Sequence, residues 1–302
     1  MTDQAETVVP VRERGGYRQS ALVLGTAQLG GAYGIANRTG RPGDDATARI
    51  LAAARDLGVT HLDTARAYGD SEQRIGVARQ GLDLAIVTKV APLDSGVEAR
   101  ASIDASRRAL RQTGPLTILL HRAADAAAGW DELRRRLDAG EADRIGVSVQ
   151  SPDELRRVLD LPDLGYVQLP CNVLDRRWDW LDGELGDLVI TVRSAYLQGL
   201  LVAGTAVHWP NLSDLSRNET VATLDRLAGE LGRAGRADLC LAYLLSLPWV
   251  TSLVVGAETE EQLRANAELV ARPPLSEDER AAVLAALPEM PVELLDPSRW
   301  PR

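Results

Sequence analysis

The sequence predicts a single-domain (β/α)8 TIM barrel of the α/β class, with an extra helix near its C-terminal end. Three observations carry this expectation. Eight short apolar runs recur along the chain, amphipathic helical patterns separate them, and 302 residues is an ordinary length for one such barrel. The runs are continuous rather than alternating, as parallel strands buried on both faces require. A doubly wound open sheet would show the same alternation of strand and helix. No Gly-x-Gly-x-x-Gly follows the first run, which weakens that alternative.

Taken in order, residues 1–20 are an N-terminal extension, read as a short hairpin or a disordered stretch, and 21–302 form the barrel. The strands fall at 22–26, 60–64, 84–90, 116–121, 144–149, 166–170, 188–194 and 251–256. "DATARILAAARDLG" places Ile50, Ala53, Ala54 and Leu57 on one helical face and stops at Gly58, a suitable residue just past a helix end. Helical patterns also span "SGVEARASIDASRRALRQTG" and "GWDELRRRLDAGE". "SPDELRRVLD" opens with Ser151 as N-cap, Pro152 at the first helical position and Glu154 at the third. "SEDERAAVLAAL" is the extra helix.

Bulk properties exclude several classes of partner. The net charge of −9 argues against a nucleic acid or an anionic membrane surface. No apolar stretch reaches the roughly 20 residues of a membrane span. The first residues hold no apolar run of signal-peptide length. Only Cys171 and Cys240 are present, in no disulfide or metal spacing, which fits a reducing cytoplasm. A metal-dependent hydrolase is the least favoured class, since only three histidines are present and His61 and His208 do not end strands.

Active sites of this fold lie at the C-terminal ends of the strands. There the second strand ends in Asp63, with Tyr68 in the following loop; the third ends in Lys89 and the fourth in His121. Each residue alone reads more simply as a cap, a rim contact, a snorkelling lysine or a satisfied core histidine. Together they make a specific chemistry. A free phenol releases its proton only near pKa ~10. An adjacent ammonium stabilises the phenolate, a carboxylate fixes that ammonium, and an imidazole can donate a hydrogen bond to a carbonyl oxygen. Such a set protonates a carbonyl oxygen as hydride reaches its carbon.

"GTAQLG", "HLDTARAYGDSEQRIG", "IVTKV", "LLHR" and "GEADRIGVSVQ" resemble, in order, the motifs of the aldo-keto reductases, from about Ala21 to about Val270. The resemblance implies a (β/α)8 fold and NAD(P)H-dependent carbonyl reduction. It makes Tyr68 the general acid, Lys89 and Asp63 its tuners, and His121 the carbonyl orienter. It implies further that Ser148 and Gln168 hold the nicotinamide carboxamide, although the family's Asn is Val149 here, with Gln150 beside it. In "RSAYLQGLL", Arg193 takes the place of the family's stacking Tyr, and Ser194, Leu197, Gln198 and Gly199 resemble the loop around the pyrophosphate. In "VVGAETEEQLRANAEL", Gly256, Thr259, Gln262 and Asn266 match the adenosine segment. Gly25, Thr26 and Asp63 complete the implied cofactor residues. Gln262 replaces the basic residue that often meets a 2′-phosphate, among Glu258, Glu260 and Glu261, so NADP(H) is favoured only slightly over NAD(H).

The substrate expectation is a small carbonyl compound, sugar-like or hydroxylated, with Tyr33 and Trp178 as pocket residues. Alternatives of other classes are a cofactor-retaining epimerase or lyase on the same barrel, and a non-catalytic cofactor-binding module.

Overall fold

The computed structural model describes residues 8–93, 96, 98–182, 185–210 and 216–300. The first seven residues of the expected N-terminal extension, part of the stretch preceding the helix Ala99–Leu110, and the last two residues lie outside that set.

Within the extension, residues 11–20 form an antiparallel hairpin of β1 (Val11–Arg14) and β2 (Tyr17–Ser20). Its two-residue turn is Gly15-Gly16, with φ of 55° and 72°. A turn with two left-handed residues matches the strand twist, and glycine adopts it without a Cβ clash. Eight parallel strands follow: β3 (Leu22–Gly25), β4 (His61–Asp63), β5 (Ala85–Val90), β6 (Leu116–Leu120), β7 (Ala142–Ser148), β8 (Tyr166–Pro170), β9 (Val189–Arg193) and β10 (Ser252–Gly256). They close in the order β10-β3-β4-β5-β6-β7-β8-β9. Every apolar run named from sequence is one of these strands.

The helices form where their patterns place them. Helix Asp44–Asp56 buries Ile50, Leu51, Ala53 and Ala54, and the chain leaves it through Gly58 at φ 79°. Helix Pro152–Val158 starts with Ser151 Oγ accepting from the Glu154 amide. Helix Glu277–Ala286 has the reciprocal Ser276–Glu279 box, with contacts of 2.7 and 3.2 Å.

Inside the barrel, Val87, Leu119, Tyr166 and Val189 fill the lumen. The hairpin seals the lumen from the N-terminal side. Tyr17 Oη lies 3.0 Å from His61 Nε2 and 2.7 Å from Thr117 Oγ1, at the starts of β4 and β6. Gln19 Nε2 donates to Tyr166 Oη at 3.2 Å, and Arg12 donates to the carbonyls of Val250 and Leu245. Among the described residues, a cavity opens at the C-terminal end of the barrel. Among the described residues, no helix is long and apolar enough to cross a membrane, and no group of three or more His, Cys, Asp or Glu is arranged to hold a metal.

Candidate active site

Side chains two residues apart on a strand share a face. The lumen residues therefore dictate what stands above them. Lys89 follows Val87 on β5, and His121 follows Leu119 just past β6. Gln168 follows Tyr166 on β8, and Arg193 lies four residues beyond Val189 on β9. The polar site is thus the top layer of the barrel interior.

At its base is a buried ion pair. Lys89 Nζ lies 2.8 Å from each Asp63 carboxylate oxygen and 2.9 Å from the Thr64 carbonyl. The two side chains are 1% and 3% exposed. Gln168 Nε2 donates to Asp63 Oδ2 at 2.7 Å. Burial penalises the Lys89 cation, but the charge of Asp63 outweighs that, aided by Tyr68 and the hydrogen bond, and the ammonium is held above its ordinary pKa.

Tyr68 sits in a turn fixed by backbone contacts. Its amide donates to Ala65 O and its carbonyl accepts from the Ser71 amide, each at 3.0 Å. Ser71 Oγ donates to Thr26 O, and Thr26 Oγ1 donates to Asp63 O. A Cβ on Gly30 would fall 1.7 Å from the Tyr68 carbonyl, so only glycine allows the approach. Glu72 is buried behind the turn, bonded to Thr88 and paired with Arg66. Arg74 donates to Leu29 O and Pro42 O, which anchors the loop after residue 30. The sequence reading missed Gly30, Ser71, Glu72 and Arg74; their only signal is that "SEQR" opens a helix with a serine and two charged residues.

Lys89 Nζ stands 5.2 Å from the centre of the Tyr68 ring. The expected direct ammonium–hydroxyl contact is not formed, because Asp63 and Thr64 already engage Nζ. The Tyr68 hydroxyl makes no hydrogen bond to the described residues. His121 meets the Tyr68 ring edge-on, with ring centres 5.9 Å apart. Its pKa is pushed down to about 3 by burial first, then by Lys89, Arg193 and Arg122. It is a neutral imidazole at physiological pH, with Nδ1 buried and unpartnered among the described residues.

A cavity of about 470 Å³ opens over this layer. Of the residues named from sequence, Gly25, Thr26, Tyr33, Asp63, Tyr68 and Arg193 line it. So do Ser194, Gln198, Gly199, Gly256, Gln262 and Asn266. Ser148, Gln168 and Lys89 are buried and, like His121, are not in that lining; Leu197 is wholly buried, and Thr259 caps the helix Glu260–Ala271. Trp178, expected from sequence as a pocket residue, is 1% exposed, packs into the core and is not in the lining of this cavity. The periodicity of "NVLDRRWDW" could not separate a packed indole from a rim one. Tyr196, Asn37 and Glu258 also line the cavity.

The lining fits a dinucleotide. Ser194, Leu197 and Gln198 have φ of 64°, 49° and 55°, a strained run of the kind found at ligand clamps. Leu197 anchors that loop in the core, and Tyr196 Oη donates to Asn266 Oδ1 at 2.8 Å. Gln168 Oε1 is buried without a partner among the described residues, which suits a carboxamide N–H.

The aldo/keto reductase family model matches residues 21–287. The chain belongs to the aldo/keto reductase family. This aldo/keto reductase is 25% identical over 282 residues to an L-glyceraldehyde 3-phosphate reductase of Escherichia coli O157:H7, covering 78% of this chain and 81% of that one. It is 31% identical over 177 residues to an aldo-keto reductase of Mycobacterium sp. (strain KMS), covering 53% and 63%. In fold it is similar to an aldo-keto reductase from Bacillus halodurans in its holo form, with a TM-score of 0.76 at 22% identity over 96% of this chain and 99% of that one. The apo form of the same enzyme gives 0.71. Family membership supports an oxidoreductase that reduces carbonyl groups.

One prediction follows from the imidazoles. His61, shifted down to about 4 by burial, and His121, at about 3, both stay neutral in the fold. An unfolded chain protonates them near pH ~6.5. Their contribution is therefore complete above about pH 6.5 and is lost as pH falls toward 4 and 3. Urea unfolding between pH 7.5 and 5.0 is expected to show stability level down to about pH 6.5 and then falling by about 1.4 kcal/mol per pH unit for each imidazole. His121→Asn is expected to remove about one proton from that dependence; an unchanged slope would count against the buried neutral ring.

Proposed function

We propose that this chain reduces an aldehyde or ketone with a reduced nicotinamide dinucleotide, and that Tyr68 is the proton donor. One observation carries the reading: a phenol that lines the cavity has a buried ammonium–carboxylate pair and a neutral imidazole packed against its ring. The dinucleotide, when bound, supplies the hydride. The chain's own residues do the rest. Asp63 holds Lys89 in place, and the Lys89 charge stabilises the negative charge that develops on the phenol oxygen as its proton leaves. Neutral His121 donates a hydrogen bond to the carbonyl oxygen and orients it. Ser148 and the free Gln168 Oε1 take the carboxamide, and the Ser194–Gly199 loop wraps the pyrophosphate.

The adenosine end of the cavity supports NAD(H), against the slight lean of the sequence toward NADP(H). Glu258 lines it, accepting from Thr39 Oγ1 at 3.1 Å, and Gln262 stands beside it. Arg193 is the only basic side chain in the lining, and it is turned toward the β7 end, away from β10. Arg264 is drawn off to Glu260. A carboxylate accepts ribose hydroxyls and repels a 2′-phosphate. For the substrate, a small hydroxylated carbonyl compound agrees with the exposed Tyr33 and the half-buried Asn37 in the lining and with the substrate named for the Escherichia coli relative.

Two outcomes are expected. Tyr68→Phe should leave the Kd of reduced cofactor within about threefold and lower carbonyl-dependent turnover by about 10²-fold or more; unchanged turnover would refute the role. NADH should bind at least about tenfold more tightly than NADPH, and Glu258→Lys should reverse the order. Calorimetric titration of both dinucleotides decides it, and tighter NADPH binding by the native chain would contradict the preference.

A further inference from the structure

Arg193 ends β9 among neutral acceptors only. Its Nη2 donates to Val149 O at 3.2 Å and to Gln150 Oε1 at 2.6 Å. Gln150 is itself held from two sides. Its amide donates to Glu154 Oε2 at 2.6 Å, and its Nε2 donates to Asp296 Oδ1 at 2.9 Å. Asp296 is buried and takes the Ser298 amide and hydroxyl at 3.0 and 2.6 Å, so it belongs to the closing turn of the C-terminal segment. A chain of hydrogen bonds therefore runs from that segment to the guanidinium.

No carboxylate of the described residues lies in ion-pair range of Arg193. Other arginines differ: Arg177 is paired with Asp175, Arg74 with Asp44 and Arg233 with Asp238. Lys89 is neutralised by Asp63 at 2.8 Å. His121 is uncharged. The reacting end of the cavity thus carries one net positive charge, on Arg193. Hydride must be delivered beside the Tyr68 hydroxyl, so a nicotinamide ring occupies the end of the cavity that Arg193 and Tyr68 both line. That ring is neutral when reduced and cationic when oxidised.

We propose that Arg193, positioned by Gln150 and through it by Asp296, makes this site discriminate between the two redox forms of the nicotinamide, holding the reduced ring and disfavouring the oxidised cation. This inference rests on the nicotinamide reading above. Two unit charges a few ångströms apart in a partly dry site repel strongly enough for a tenfold or larger difference in affinity. The oxidised form leaves more readily as a result. An aromatic side chain at the same place would cover the ring without this bias.

The test is calorimetric titration of NADH and NAD+, and of NADPH and NADP+, against the native chain, Arg193→Gln, Arg193→Lys and Gln150→Ala. The readout is the ratio of oxidised to reduced Kd for whichever dinucleotide binds. The native ratio is expected at about 10 or above, collapsing to within about threefold of unity in Arg193→Gln. Arg193→Lys should keep most of it. Gln150→Ala, which retains the arginine but frees it, should fall between. A merely structural role would weaken both redox forms alike and leave the ratio unchanged. A native ratio near unity, or an Arg193→Gln ratio within twofold of native, overturns the proposal while the reductase reading stands. Failure of every dinucleotide to bind the native chain overturns the nicotinamide reading itself, and this inference with it.

Discussion

The ion pair between Asp63 and Lys89 is the constraint on which the site is built. An ammonium with this little exposure would shed its proton unless something opposed the loss of water. Asp63 opposes it with two 2.8 Å contacts, and the Thr64 carbonyl adds a third. Such a pair is weak evidence for stability, since an apolar pair of similar volume often serves the fold as well. Removing one partner is different: about 3–5 kcal/mol is lost because a buried charge is left alone. The pair fixes an ammonium 5.2 Å from the centre of the Tyr68 ring.

The barrel delivers that charge through strand parity. Lumen packing at Val87, Leu119, Tyr166 and Val189 forces Lys89, His121, Gln168 and Arg193 onto the same inward face one or two steps higher. The hairpin closes the other end with Tyr17 and Gln19, so the open end faces the loops. Glycines set the loop positions: Gly30 lets the Tyr68 turn come within contact distance, and Gly256 leaves room for the Gln28 side chain. The C-terminal segment joins this layer through Asp296 and Gln150.

Much of this was legible beforehand. Eight continuous apolar runs give eight strands because a strand buried on both faces cannot alternate. Ser151 and Ser276 announce their helices because a side-chain oxygen must meet the free amides there. Asp63, Lys89 and His121 could be placed at the strand ends because the apolar runs before them mark the strands. What stayed hidden depends on long-range contacts. Trp178 looks the same in sequence whether packed or exposed, and only the fold buries it. The link from Arg193 to Asp296 spans over 100 positions and has no periodicity to reveal it. The engagement of Lys89 Nζ by Asp63 and Thr64, which keeps it from the Tyr68 hydroxyl, is likewise a matter of coordinates.

The central claim is that Lys89 acts through Tyr68 rather than beside it. A double-mutant cycle on the hydride-transfer step measures this directly, using Lys89→Met and Tyr68→Phe in single-turnover kinetics with each variant's fold checked by circular dichroism. If the ammonium works only by stabilising charge on the phenol oxygen, the double variant transfers hydride within about threefold of Tyr68→Phe alone. Losses that multiply independently would contradict the account.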